Sequence, residues 1–338
     1  MIDLLRRCSI WFVSTLAIVM SMSSMAQFQE AAIIDKPVAA KMLPKALKAR
    51  FMGITVNQAG VAIAVGERGV ILRSQDQGKS WQQMPSPVDI TLASVVFDGQ
   101  QRVWAVGQAA TILRSDDSGK SWQLIRYKPS DLRYYLKVTA HENIVYVTGS
   151  DGELWTSKDE GQNWEMTQLE NGDAMPHLFS LAFNGGGAVL SAEHGSVFFR
   201  AQADLPWQVL PVPYNGSFFG VISLANHFLL FGMSGRAFLV TADSKNWQAL
   251  ETGTTQFLLD AVEVPSKNQA IMVGRGGAVV LASADGKVLK SFQRSGKQDI
   301  TALAITGMQV LFATMRGGIE TMSLSSFLGE TDGPPASQ

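Results

Sequence analysis

Ser74-Gln75-Asp76-Gln77-Gly78-Lys79-Ser80-Trp81 returns as Ser115-Asp116-Asp117-Ser118-Gly119-Lys120-Ser121-Trp122, and again as Ser157-Lys158-Asp159-Glu160-Gly161-Gln162-Asn163-Trp164. These are three copies of SxDxGxxW in one chain. The tryptophans set the period: Trp81, Trp122, Trp164, Trp207 and Trp247 are separated by 41, 42, 43 and 40 residues, and a further step of 42 falls on Leu289. A fixed period of about 40 residues means stacked units that bury their apolar faces only against one another. Weaker copies at 201–207, 241–247 and 283–289 keep Asp243 and Asp285 in place, with Asp204 one residue late.

A second marker precedes each box by about eight residues: Gly66-Glu67-Arg68-Gly69, Gly149-Ser150-Asp151-Gly152, Gly232-Met233-Ser234-Gly235 and Gly274-Arg275-Gly276-Gly277. Ala110 replaces the last glycine of the second copy, and the fourth and seventh keep only Gly195 and Gly317. Each GxxG predicts a tight turn. Between markers the chain runs apolar or β-branched over short stretches, as in Ala62-Ile63-Ala64-Val65 and Val279-Val280-Leu281, which is strand patterning. A unit of strand, turn, strand, GxxG turn, strand, Asp-box turn, strand describes one blade of a β-propeller. Seven units begin near Phe51, Leu92, Tyr135, Leu178, Phe218, Leu258 and Ile300. We therefore expect an all-β, seven-bladed propeller of four-stranded blades over 51–328. The seventh unit has sequence for three strands, at 300–306, 309–315 and 318–324. Its outer strand is expected from 31–36, with Ile33 and Ile34, so that an N-terminal strand closes the ring and leaves no open edge.

With 28 Lys+Arg against 29 Asp+Glu, 46% hydrophobic and 17% charged residues, the chain is neither disordered nor a strongly basic nucleic-acid binder. The one cysteine, Cys8, excludes an internal disulfide framework, and four widely spaced histidines exclude a tight zinc motif, so no metal or other cofactor is expected. Met1 to Arg7, the apolar run 10–20 and Ser24-Met25-Ala26 read as a signal peptide over 1–26, cleaved to release a periplasmic protein without a thiol. Residues 27–50 read as a lead-in and 329–338 as a disordered tail. Lys36, Lys41, Lys45, Lys48 and Arg50 occur in the lead-in with no acid, which suits either peripheral contact with anionic lipid head groups or a solvated approach to blade one.

The boxes, the GxxG turns and the Ile71-Leu72-Arg73-Ser74 and Ile112-Leu113-Arg114-Ser115 strands resemble the BNR/Asp-box propellers of the photosystem II stability and assembly factor family. The resemblance spans 51–324. It implies a non-enzymatic, chaperone-like factor that binds a newly made membrane subunit. Relatives in non-photosynthetic bacteria extend the implication to an accessory role beside transporters of the resistance-nodulation-division type. The absence of a lipobox cysteine and the eroded repeats four to seven point to that non-photosynthetic branch.

Asp76, Asp117 and Asp159, with Gly78, Gly119, Gly161, Trp81, Trp122 and Trp164, read as structural: a carboxylate accepting turn amides, a glycine at positive φ, and a tryptophan packing between blades. A sialidase-like glycan hydrolase or lectin is the reading from another class. It lacks an evident arginine triad, and neither Tyr134 nor Tyr214 has a partnering acid. Gly78-Lys79-Ser80 lacks the earlier glycine of a phosphate loop, and Gly232-Met233-Ser234-Gly235 is one residue short of a nucleophile elbow. The stronger candidate is the set of GxxG turns, which topology places on one face. Arg236, Arg275, Arg316 and Arg68 fall on blades five, six, seven and one, and Asp151, Glu193 and His194 on blades three and four. A positive arc facing a negative one suits a carboxylate-bearing loop or tail of an integral membrane protein. Deleting 27–40 is expected to lower the melting temperature of the whole ring, and an unchanged value would refute closure by this segment.

Overall fold

Each repeat folds into one antiparallel sheet. In the computed structural model, which describes residues 36–328 except 100, 101, 242 and 244, blade one runs Phe51–Val56, Ala62–Gly66, Ile71–Ser74 and Gln82–Met84 in spatial order. Five further four-stranded sheets follow. The seventh sheet, Ile300–Thr306, Gln309–Thr314 and Ile319–Ser323, has three strands among the described residues and ends in the short helix Leu324–Leu328. The leader at 1–26 with Cys8, the tail at 329–338, and all of the expected closing strand but Lys36 lie outside the described residues.

The second strand of each blade explains why these sequences lack simple alternation. Ala62, Ile63, Ala64 and Val65 are all fully buried, because both faces of the sheet are covered. Ala62 and Ala64 face blade seven with Leu72 and Leu311, whereas Ile63 and Val65 face blade two with Val95 and Leu113. The core is thus divided into seven apolar seams, one between each pair of neighbouring blades.

The Asp boxes seal these seams. In blade two, Ser115 Oγ donates to Asp117 Oδ1 at 2.8 Å and accepts the Gly119 amide at 2.8 Å. Asp117 also accepts the Lys120 and Ser121 amides, each at 2.9 Å, and the Ser121 hydroxyl at 2.6 Å. Asp76 and Asp159 repeat the pattern with Ser80 and Asn163. The Trp122 indole N–H reaches Gly119 O at 3.2 Å, and its ring packs in the seam to blade one. Gly119 sits at φ 82°, and a Cβ there would lie 2.4 Å from Ile63 Cδ1 of the preceding blade. The arginines of the two ILRS strands tie adjacent blades from the other side. Arg73 Nε donates to Ser118 O at 2.8 Å, and Arg114 Nη1 to Glu160 O at 2.9 Å, each reaching the box of the next blade.

The ring closes through the lead-in. Gly69, at φ 66°, is pressed by the outgoing link of its own blade, where a Cβ would lie 1.8 Å from Val88 O. Gly317, at the same position in blade seven, is pressed by Lys48 O at 2.2 Å, so the residues entering blade one stand where blade seven's outgoing link would run. Thr301 Oγ1 donates to Phe51 O at 2.6 Å and the Gly318 amide to Ala49 O at 3.3 Å.

Hydrogen bonds from Ser80 hold Asp76 down at a pKa of about 2, from an ordinary 3.8. Burial opposes ionisation at Asp117, yet the Ser121 and Ser115 bonds still bring it to about 2. Asp285 is also held at about 2, by Lys287 first and then Ser283. Depressed carboxylates stabilise the fold fully above the unfolded value, and that stabilisation is lost as they protonate. The melting temperature is therefore expected to hold above pH ~4 and to fall between ~4 and ~2. Asp117→Ala should cost about 1 kcal/mol in denaturant unfolding at neutral pH and flatten this acid limb. An acid profile identical to wild type would contradict the assignment.

Candidate partner-binding face

Seven GxxG-type turns open on the face opposite the boxes, because the second hairpin of a four-stranded blade lies at the other end of the sheet from the third. One contact recurs in all seven blades. The amide just after the second strand donates to the carbonyl just before the first strand, from Glu67 to Arg50 in blade one through Met315 to Asp299 in blade seven, at 2.9–3.2 Å. The next residues in the turn carry the sequence-predicted side chains outward. Arg68 (φ 55°), Asp151 (φ 57°) and His194 (φ 52°) are exposed at left-handed positions, and Arg236, Arg275 and Arg316 are exposed beside them.

The seven residues are not equivalent. Arg275 lies over the Phe257 ring, 4.7 Å from guanidinium carbon to centroid. Arg68, Arg236, Arg275 and Arg316 form no ion pair with a described residue, and their blades are consecutive around the ring. Glu193 is committed to the turn itself: its Oε2 accepts the His177 amide at 3.2 Å, as Glu67 Oε1 accepts the Arg50 amide. The Asp151 amide donates to His177 Nδ1 at 3.2 Å, which leaves its carboxylate outward. His194 is held through its own amide by Ser217 Oγ at 3.2 Å.

Sequence reading missed a collar at the mouth of the central channel. In all seven blades the register of the first strand slips over its second residue: Met52, Ala93, Leu136, Phe179, Phe219, Leu259 and Thr301. A bulge re-aims the side chain it carries. All seven are half-buried, six are apolar, and Phe179, Phe219 and Phe257 form a row with ring centroids 5.3 and 5.5 Å apart. Paired apolar residues opening a strand, as in Phe218-Phe219 and Leu258-Leu259, were the available signal, since they break an alternation of period two. Linkers on this face add Leu132 (89% exposed), Tyr134 and Met175. Arg133 is also here, but it is spent on Asp131 at 2.6 Å and on the buried Glu153, which in turn accepts the Trp155 indole N–H at 2.9 Å.

Further in, the channel is crossed by one ion pair, Lys137 Nζ to Asp260 Oδ1 at 3.1 Å, joining blade three to blade six. Asp260 Oδ2 also accepts the Leu303 amide at 3.1 Å. Among the described residues no group of three or more His, Cys, Asp or Glu side chains could hold a metal ion, and no helix is long and apolar enough to cross a membrane. The face offers guanidinium donors around an apolar collar, which suits recognition of an acidic, apolar segment.

Solved structures share this architecture. YCF48 bound to D1 peptide is 18% identical at a TM-score of 0.66, covering 85% of this chain and 96% of that one. YCF48 from Cyanidioschyzon merolae is 15% identical at 0.65, covering 85% and 99%. A virginiamycin B lyase from Staphylococcus aureus is 11% identical at 0.72, covering 85% and 98%, a likeness of fold alone. No curated protein matches in sequence. The family model for the photosynthesis system II assembly factor YCF48 matches residues 42–330, which includes all seven blades, their boxes and the arginine-bearing turns, and the chain therefore belongs to that family.

Proposed function

We propose that this protein is a non-enzymatic assembly factor that docks an extracytoplasmic loop or tail of a membrane protein complex on its GxxG face. The carrying observation is how the fold uses its arginines. Arg73, Arg102, Arg114, Arg133 and Arg294 are bound to carboxylates or carbonyls, whereas Arg68, Arg236, Arg275 and Arg316 are exposed and form no ion pair with a described residue. Free guanidinium groups on rigid turns can pair bidentately with carboxylates at little cost in ordering. The half-buried apolar collar beside them gives such a segment somewhere to place its apolar side chains. Family membership supports a binding role, and the YCF48 relative solved with a D1 peptide supports a membrane-protein segment as the ligand. The leader-like sequence at 1–26 supports action outside the cytoplasm.

The test is affinity recovery from gently solubilised membranes with tagged wild type and a folded Arg68→Glu, Arg275→Glu, Arg316→Glu variant. An integral membrane protein recovered with wild type should fall by about tenfold with the variant. Recovery with wild type should also weaken as salt is raised. Equal recovery by both baits, or recovery of no membrane protein by either, would overturn the reading.

A further inference from the structure

On the opposite face, the seam between blades three and four departs from its neighbours. At the three preceding seams the box glycine of one blade lies on the second strand of the blade before it: Gly78 on Leu311, Gly119 on Ile63 and Gly161 on Trp104. The corresponding pair here is Asp204 and Tyr146. Asp204 carries a side chain where the other seams admit none, and it is exposed. The serine and aspartate that brace the intact boxes are Arg200 and Gln202 in this one. A cavity of about 450 Å³ is open at this seam, walled by His141, Tyr146, Phe183, Arg200 and Ala203, with Glu142 at its rim.

The lining has a definite chemistry. His141 and Phe183 stack with centroids 4.1 Å apart and planes 4° apart, and Tyr146 leans on Phe183 at 5.1 Å. Arg200 occupies the strand position of Ser74 and Ser115, one residue beyond that of Arg73 and Arg114, so it faces the preceding blade and enters this seam. Its Nη2 meets Tyr146 Oη at 3.3 Å, its Nη1 meets Ala203 O at 3.0 Å, and its Nε is buried without a partner among the described residues. The guanidinium is also flanked by the Trp207 ring at 4.6 Å. The partners of this cation are all neutral, so a positive charge is held in a partly desolvated, aromatic-walled cavity.

We propose that this cavity binds a small monocarboxylate carried on a six-membered ring, with the carboxylate on Arg200 and the ring against His141 and Tyr146. The volume suits one ring. One cation with Glu142 nearby favours a single negative charge over a phosphate dianion. Flat aromatic walls accept either a sugar acid or an aromatic acid.

Calorimetric titration of the full chain with glucuronate and with para-hydroxybenzoate separates the two sources, with glucose and phenol as the neutral counterparts. One acid should bind saturably and at least about tenfold more tightly than its neutral counterpart, and Arg200→Gln should remove that margin. Arg200 also packs in the seam, so a second variant is needed. Ala203→Phe fills the cavity from an exposed box position with Arg200 intact, and it should abolish binding without lowering the melting temperature. The proposal fails if neither acid outbinds its neutral counterpart, or if Ala203→Phe binds as wild type.

Discussion

No blade of this protein can cover its own faces. A four-stranded sheet has two apolar sides and little thickness, so each becomes stable only when a neighbour lies on either side. The seams are therefore the unit of stability. Small residues such as Ala62 and Ala64 on one side of a strand, and larger ones such as Ile63 and Val65 on the other, shape a sheet that packs asymmetrically on its neighbours. The boxes follow from the same need. Their carboxylates and hydroxyls absorb the turn's free amides, so that a tryptophan and a bare glycine backbone can be set against the next blade.

This division explains what could be read from the amino-acid chain. SxDxGxxW and GxxG are local patterns, each with a steric or hydrogen-bonding reason to recur, and they define blade number, strand order and which turns share a face. The seven strand starts, from Phe51 to Ile300, are the observed ones. The bulged collar was harder to see, because a slip of register leaves no dedicated residue type; Ala93 and Thr301 carry it as well as Phe179 does. The engagement of Glu193 with the His177 amide was equally hidden, since the two are brought together only by the recurring contact between turn and incoming link. Erosion of the fourth box was legible as lost residues, but the open cavity beside it was not, because its walls, His141, Tyr146, Phe183 and Arg200, come from two blades and meet only in the folded ring.

Arginine serves three purposes here, and position in the blade decides which. On the third strand, Arg73 and Arg114 donate across a seam to the next box, and Arg200, one position further along and on the other face of its sheet, lies between Tyr146 and Trp207. In the linker, Arg133 neutralises Glu153, a carboxylate almost wholly buried. On the GxxG turns the backbone is already satisfied by the recurring amide-to-carbonyl contact, so the fold makes no demand on the side chain. Unpaired charge accumulates there because the scaffold is complete without it.

The closure of the ring has a kinetic side. Thr301 and Phe51 are 250 residues apart in sequence, and Lys48 completes a turn whose glycine is Gly317. Blades two to six pack on neighbours synthesised just before or after them, and can be added in order as the chain lengthens. The first seam must wait for the last blade. Until then the edge of blade one, including Leu72 and Trp81, has no partner and is the surface most open to misassociation with another copy. Loop closure over so long a span makes joining the two ends the slow step, so the lifetime of that unsealed edge, rather than the strength of any blade, sets how much of the chain reaches its native ring.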